Sequence, residues 1–156
     1  PLARALRDAS PEVRDAAQGA LWAMWHRSGS ADVDALLQHG ILLMEQGRFP
    51  DAVAAFTEVI ARAPAFAEGW NKRATVYYLM GEYDRSLADC DEVIRRNPIH
   101  FGALAGYGLI HLRKGDLERA ARAFERALAV NPNLEQIEAA LEQIRQQLMQ
   151  RRRNTL

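Results

Sequence analysis

Apolar residues recur three and four positions apart along most of the chain, which is the period of an amphipathic α-helix. Isolated glycines and prolines interrupt these helical stretches at a fixed interval. The interval is 34 residues, and it separates three prolines and three glycines: Pro64, Pro98 and Pro132, and Gly47, Gly81 and Gly115. A fixed period of this length indicates an internal repeat, so the sequence divides into three blocks, 33–66, 67–100 and 101–134.

Each block predicts two antiparallel helices, and we number its positions from 1 to 34. The glycine at position 15 ends the first helix, because a residue without Cβ adopts the left-handed conformation at low cost. A small residue at position 20 (Ala52, Ser86 or Ala120) lets the second helix lie close to the first. The proline at position 32 stops the second helix and can open the next one. One pair cannot bury its apolar faces alone, so neighbouring pairs are expected to stack.

The second block carries a recognisable set of residues at defined positions. The set is Trp70, Ala74, Tyr77, Gly81, Tyr83, Ser86, Val93 and Pro98. On these residues, and on the three copies in register, the sequence resembles the tetratricopeptide repeat (TPR) family. The resemblance implies an all-α fold, a superhelical α-α solenoid of antiparallel helix pairs, with a role in protein–protein interaction.

Two segments flank the repeats. Residues 135–153 predict a C-terminal capping helix. Its apolar stripe begins at the preceding Leu134 and covers the last repeat: Leu134, Ile137, Leu141, Ile144 and Leu148. Residues 1–29 resemble part of a HEAT repeat through Leu2, Leu6, Asp8, Val13, Arg14, Ala17 and Leu21. A simple packing helix, whose Trp22 and Trp25 cover Leu36, is the alternative. Ser10 and Pro11 form a helix start in either case, and Ser28 to Ser30 predict the joint to the repeats.

Composition narrows the function. The 156 residues suffice for one domain with a real core, and Lys+Arg 20 balances Asp+Glu 20. This balance argues against nucleic-acid binding, although the third block alone is net +2 through Arg113, Lys114, Arg119, Arg122 and Arg126. No apolar run approaches the roughly 20 residues of a membrane span, so no membrane insertion is expected. A cytoplasmic location is expected, with an organelle interior after removal of a transit peptide left open.

Catalytic chemistry finds little support in the sequence. The four histidines form no close pair with metal-ligand spacing, so we expect no metal site and no cofactor. Cys90 occupies position 24, where Phe56 and Phe124 stand in the other blocks, which favours a small core residue over a nucleophile. We therefore expect no enzymatic activity.

Position 7 departs from the family pattern. His39, Arg73 and Tyr107 stand where the family usually carries an apolar residue such as leucine. Such a column is either a ligand anchor or an internal ladder of ion pairs and hydrogen bonds. The second interpretation is favoured, with Asp89 as the partner of Arg73, because a buried unpaired arginine is very costly.

The resemblance places the partner site on the first helices, at positions 2, 5, 9 and 12, which we call the groove positions. They predict a peptide-binding groove, with Lys72 added at position 6: Leu37, Ile41, Met44, Asn71, Lys72, Thr75, Tyr78, Ala105, Leu109 and Leu112. Asp34, Glu68 and Gly102 occupy position 2. Packing of these apolar residues against Trp22, Trp25 or the C-terminal helix is the alternative.

The family's carboxylate clamp for chaperone peptides is not expected. Its basic and amide slots hold other residues here: Leu37, Ile41, Lys72, Gly102 and Gly106. The favoured function is a non-catalytic scaffold that binds a peptide or helix in the groove. The alternative is a structural segment of a larger HEAT–TPR protein within a multiprotein assembly, and nucleic-acid binding is the third reading.

Overall fold

The computed structural model describes residues 1–154, and this part of the chain folds into α-helices without strands. The predicted all-α solenoid fold is confirmed. The helices, in chain order, are α1 (Leu2–Ala5), α2 (Pro11–Trp25), α3 (Ala31–Glu45), α4 (Phe49–Arg62), α5 (Ala67–Leu79), α6 (Tyr83–Arg96), α7 (Phe101–Arg113), α8 (Leu117–Val130) and α9 (Glu135–Arg153).

The helices form two compact units. Among the described residues, unit 1 contains 1–17 and 100–154, and unit 2 contains Gln18–Ile99. Unit 2 therefore holds the first two helix pairs, α3 with α4 and α5 with α6, together with the end of α2. Unit 1 holds the third pair, α7 with α8, followed by α9.

The first helix of each pair ends in the same glycine motif. Gly47 has φ 73°, its N–H donates to the Met44 carbonyl, and the next N–H, of Arg48, donates to the Leu43 carbonyl. This bond pattern satisfies two carbonyls at the helix end and requires a residue that tolerates positive φ. Gly81 and Gly115 end α5 and α7 with the same pair of bonds.

The repeat prolines have a narrower role than the sequence predicted. Each lies two residues after its helix ends, as Pro64 follows Arg62, and each therefore marks the end of a second helix. The next helix begins three residues later, so these prolines do not occupy the first helical position. Other groups start the helices: His100 Nδ1 accepts a hydrogen bond from the Ala103 N–H at the start of α7, and the Asp116 carboxylate accepts one from Arg119 N–H at α8.

In the first and third helix pairs, the glycine at position 8 faces the phenylalanine at position 24. A Cβ added to Gly40 would lie 2.6 Å from Phe56 Cε1, and one added to Gly108 would lie 2.1 Å from Phe124 Cε1. Real Cβ atoms do not approach carbon this closely, so glycine is what admits the phenylalanine ring. In the second block the same two positions hold the larger Ala74 and the smaller Cys90. A larger residue at position 8 is thus matched by a smaller residue at position 24.

Unit 2 has a continuous apolar core. Its centre contains Leu37, Phe56 and Val59, all with no exposed surface, and Val76 of the next repeat belongs to the same cluster. Helices α4 and α5 approach closely, because a Cβ on Gly69 would lie only 2.8 Å from Val59 Cγ1. The two repeats of this unit are therefore stacked directly on each other.

In unit 1, α9 packs on α8. Leu141 and Ile144 are buried in one cluster with Leu117 and Phe124, and an Arg145–Glu125 ion pair joins the two helices at the surface, 2.9 Å between nitrogen and oxygen. The packed stripe leaves the arginines at the end of α9 exposed. This helix covers the apolar face that the third pair would otherwise present to water.

The N-terminal segment of unit 1 is held by polar contacts to the turn between α8 and α9. Asn133 Nδ2 donates to the Leu6 carbonyl at 2.8 Å, Arg7 donates to the Ala129 carbonyl, and the Leu6 side chain is fully buried. Helix α2 begins at Pro11 as predicted, and the Val13 N–H donates to Ser10 Oγ.

Arg73, the polar residue at position 7 of the second block, forms an internal ion pair. Arg73 Nε and Nη2 each donate to one oxygen of Asp89 at 2.8 Å, and Arg73 Nη1 donates to Thr57 Oγ1 on α4 at 3.0 Å. The predicted carboxylate partner of Arg73 is thus confirmed. No column extends from it through unit 2, because His39 is exposed to solvent. The bidentate pair joins α5 to α6 and the threonine bond joins α5 to α4.

Aromatic rings flank the Arg73 guanidinium. It lies 5.2 Å from the centre of the Trp70 ring and 5.8 Å from that of Tyr77. Arg96 of α6 lies over the Trp70 ring at 4.5 Å, and Arg85 of α6 lies over the Tyr77 ring at 4.2 Å. Cations over aromatic faces are attracted by the ring quadrupole, so these contacts reinforce the α5–α6 pair.

We expect Gly108→Ala to destabilise the protein, because the added methyl overlaps the Phe124 ring in a packed core. Overpacking of this kind costs about 1–3 kcal/mol in the free energy of unfolding. Gly19→Ala is the matched control: its site in α2 has no neighbour within 4 Å, so alanine is expected to be neutral or to stabilise by up to about 1 kcal/mol. Urea unfolding measures both, and equal effects would contradict the close-approach interpretation.

We expect Arg73→Met and Asp89→Leu each to lower the free energy of unfolding by about 3 kcal/mol, because each leaves the partner charge without its counterion in a mostly buried place. The double variant should lose less free energy of unfolding than the sum of the losses in the two single variants. A double-mutant cycle by urea unfolding measures the difference, which is expected to exceed about 1 kcal/mol. Additive costs would show that the pair contributes nothing beyond its separate side chains.

Candidate functional site

Helices α3 and α5 carry the groove positions of unit 2, and the two helices touch each other. Helix α7 carries those of unit 1. Some of the predicted groove residues are buried in the core of their unit, and others are exposed to solvent.

The first repeat contributes mostly core. Leu37 has no exposed surface and belongs to the central cluster of unit 2, with Phe56 and Val59. Leu37 was predicted to line the groove, but its side chain is buried and is not accessible to a partner. Ile41 and Met44 are half-buried and pack against the same cluster, so each shows solvent only part of its side chain.

The groove positions of the second repeat are polar or aromatic, and they differ in how far they are exposed. Asn71 is buried, Thr75 is exposed and Tyr78 is half-buried. Thr75 Oγ1 donates to the Asn71 carbonyl of its own helix at 3.0 Å, and the Tyr78 ring lies 5.9 Å from that of Tyr83. The exposed part of this helix thus offers a hydroxyl beside an aromatic ring.

In unit 1 the predicted residues sit on α7. Leu109 is exposed over 36% of its surface, which is high for a leucine in a closely packed helix pair. Ala105 is half-buried, and Leu112 is half-buried against the cluster of Leu117 and Phe124. Leu109 is therefore the groove leucine that is free of core packing.

The centre of the unit 2 face is a buried carboxylate. Glu68 has no exposed surface, and three nitrogen atoms lie near its Oε1 atom: Lys72 Nζ at 3.2 Å, Asn71 Nδ2 at 3.2 Å and His26 Nε2 at 3.3 Å. Lys72 and Asn71 lie on the same helix as Glu68, whereas His26 follows the end of α2. A carboxylate without water is costly unless its oxygens are paired, so contacts of this kind favour the burial.

Lys72 is consequently engaged within the protein. Its ammonium bridges to Glu68, and 19% of its side chain is exposed. A ligand carboxylate at this place would meet the buried negative charge of Glu68 as well as the lysine. The electrostatic environment at Lys72 therefore disfavours an anionic ligand.

A second acidic groove position is also held by the segment before the repeats. The Ser28 hydroxyl and the Ser28 N–H donate to Asp34 Oδ1 at 2.6 and 2.7 Å. These two bonds hold the pKa of Asp34 below its ordinary value, and the bond from the Ser28 hydroxyl has the larger effect. Residues 26–28 thus contact position 2 of both repeats in unit 2.

Sequence reasoning missed the Glu68–His26 contact. The i, i+4 spacing of Glu68 and Lys72 was a readable signal for their pairing. The histidine lies outside the repeats, at a site with no counterpart in the other blocks, and no local pattern could bring it to α5.

The reactive side chains are placed for structure. Burial raises the pKa of the Cys90 thiol to about 12, so the thiolate form that nucleophilic chemistry requires is not populated at neutral pH. His100 caps α7, as described above. Among residues 1–154 no three His, Cys, Asp or Glu side chains come together as metal ligands, and the helices of this range lack the length and apolarity to cross a membrane.

Relatives of known description match the chain along the repeats. The family model described as tetratricopeptide repeat matches residues 37–98 and 72–135. A TPR repeat-containing protein of Rhizobium etli is 35% identical over 126 residues, which are 81% of this chain and 62% of the relative. The Hsp70-Hsp90 organizing protein of Triticum aestivum is 33% identical over 95 residues, 61% of this chain and 16% of that protein. The chain thus spans less than two thirds of either relative.

A solved structure agrees in fold. The first TPR of Spaghetti, bound to an HSP90 peptide, superposes with a TM-score of 0.72 and 23% identity, covering 75% of this chain and 93% of that one. The 34-residue period, the glycine-ended first helices and the family match lead to one conclusion: the chain belongs to the tetratricopeptide repeat family.

Proposed function

We propose that the protein is a non-catalytic interaction scaffold that binds a peptide or helix through the groove positions of its first helices. One observation carries the proposal: Thr75, Tyr78 and Leu109 stay accessible at these positions, although the helix pairs that hold them are closely packed. Accessible apolar and aromatic side chains on a rigid support are characteristic of partner sites. The family membership and the peptide-bound state of the Spaghetti TPR support the same function.

The chemistry of the face selects against an anionic chaperone tail. Of the slots that the carboxylate clamp fills with basic or amide residues, Lys72 alone carries a donor side chain, and it is paired with Glu68. Leu37 and Ile41 are apolar, and Gly102 and Gly106 have no side chain. A partner with an apolar or aromatic anchor, and without a terminal carboxylate at Lys72, fits this face.

The buried Cys90, its raised pKa and the capping role of His100 support a protein without catalytic activity of its own. The favoured location is the cytoplasm, and the balanced charge of the chain supports a protein partner rather than nucleic acid.

A specific observation favours the alternative, a segment of a larger assembly. Positions 3 and 10 are buried in the second repeat, at Gly69 and Val76, where α5 packs on α4. The same positions of the first repeat, Ala35 and Leu42, are exposed, and Leu42 shows 51% of its surface. The stacking face of α3 is thus open, and a further helix of an assembly partner would fit it.

We expect Leu109→Asp to weaken partner binding at least about tenfold, because a charge replaces an apolar anchor that would lose water on binding. Arg122→Ala and Arg126→Ala, exposed on α8, are matched controls and are expected to leave binding unchanged. Affinity capture with each variant identifies the partner, and calorimetry with the purified partner measures its affinity. Leu42→Asp is tested in parallel, because it probes the open face of α3.

Circular dichroism and melting check that each variant is folded. Ile41→Asp serves as a contrast, since Ile41 packs on the core cluster and the variant should lose stability as well as binding. If Leu109→Asp is folded and binds normally while Leu42→Asp loses its partner, the groove is not the site and the assembly function is correct.

A further inference from the structure

Only one side of the C-terminal part of α2 is buried. Between Gln18 and Trp25, Leu21 is buried to 2% exposure, and Gln18, Trp22 and Trp25 are half-buried. Ala20, Ala23 and Met24, on the opposite side, are exposed. The two tryptophan rings contact each other edge to face at 5.3 Å, so the covered side presents an aromatic pair.

Directly after this helix, the chain contacts the groove positions of unit 2. His26 Nε2 lies 3.3 Å from Glu68 Oε1, and the His26 ring nitrogen Nδ1 is 2.7 Å from the Trp22 carbonyl. Ser28 holds Asp34 by two hydrogen bonds. Gly29, at φ 88°, then turns the chain into α3.

We propose that residues 18–28, which we call the inner segment, occupy part of the groove of unit 2 as an internal ligand, and that the partner replaces them. This proposal rests on the proposed function and specifies the partner. It is a helical segment with a pair of aromatic residues on one side and, just beyond them, a His, Lys or Arg side chain that donates to Glu68.

The need for the donor follows from the burial of Glu68. Lys72 and Asn71 lie on the same helix as Glu68 and stay in place when the inner segment leaves. The His26 contact leaves with the segment. A partner that covers Glu68 without a polar or positive side chain at this point removes a favourable contact from a buried carboxylate, which is unfavourable. A partner with a positive side chain at this point restores the pairing and gains specificity.

The charge at the other contact agrees with this partner. Asp34 and Glu68 are the position-2 residues of two neighbouring repeats. Asp34 accepts hydrogen bonds from Ser28 of the inner segment, and Glu68 lies 3.3 Å from His26 Nε2 of the same segment. The end of the groove near the N-terminal ends of α3 and α5 is therefore acidic. A basic side chain is the complement of such a surface, whereas an acidic peptide is repelled by it.

The test uses the full chain and one probe, a fluorescein-labelled peptide with the sequence of residues 11–28. Fluorescence anisotropy measures its affinity for the protein. We expect weak binding to the wild type, because the inner segment occupies the site, and binding at least tenfold tighter to the Trp22→Ala/Trp25→Ala protein. Met24→Ala, on the exposed side of the same helix, is the matched control and should bind like the wild type.

The role of Glu68 is tested on the same scale. In the double-alanine protein, Glu68→Gln should lower the affinity for the peptide at least fivefold. A peptide with alanine in place of His26 should bind more weakly than a peptide with arginine at that position. His26→Ala in the full chain is the milder opening variant, used with circular dichroism as the check of folding.

Equal affinities for the wild type, the double-alanine protein and the Met24→Ala protein would overturn the proposal. So would unfolding of both opening variants, since the inner segment would then be a permanent part of the core. Either result leaves the proposed function intact if Leu109→Asp still loses the partner. Failure of the Leu109→Asp test, with tight peptide binding after opening, would instead move the partner site to unit 2 alone.

Discussion

The close approach of two helices within each pair is the constraint on which the rest of the structure depends. Gly40 and Gly108 admit a phenylalanine ring at a distance that any Cβ would prevent, and in the second pair the same two positions hold Ala74 and Cys90. The groove positions lie next to this contact, because positions 5 and 12 share a helix face with position 8. The part of that face which the core leaves accessible is the candidate binding face.

The candidate binding face of unit 2 has a polar centre, in which Glu68 is buried. Nearby nitrogen atoms favour this burial, and one of them, on His26, belongs to a segment outside the repeats. The same carboxylate therefore stabilises the position of the inner segment and defines what a replacing partner must carry. The apolar groove positions of the first repeat are buried or half-buried in the core of unit 2. We therefore propose that the polar centre and the accessible part of Tyr78 carry the specificity of this face.

The repeat period predicted the helices and their glycine ends because these depend on local chemistry that recurs every 34 residues. The Arg73–Asp89 pair was also predictable, since a buried arginine requires a carboxylate and the neighbouring helix offers one. Leu37 was placed in the groove by its position alone, but the core of unit 2 buries it completely. The contact between His26 and Glu68 has no repeat counterpart and depends on the tertiary fold, so the pattern could not reveal it.

Hydrogen–deuterium exchange of the full chain tests the central claim most directly, which is that the inner segment lies on the binding face of unit 2. We expect the amides of residues 21–26 and of the first turns of α5 to be protected together in the wild type. In the Trp22→Ala/Trp25→Ala protein both groups should exchange faster, while the amides of α8 stay unchanged. Faster exchange in α2 with no change at α5 would contradict the claim.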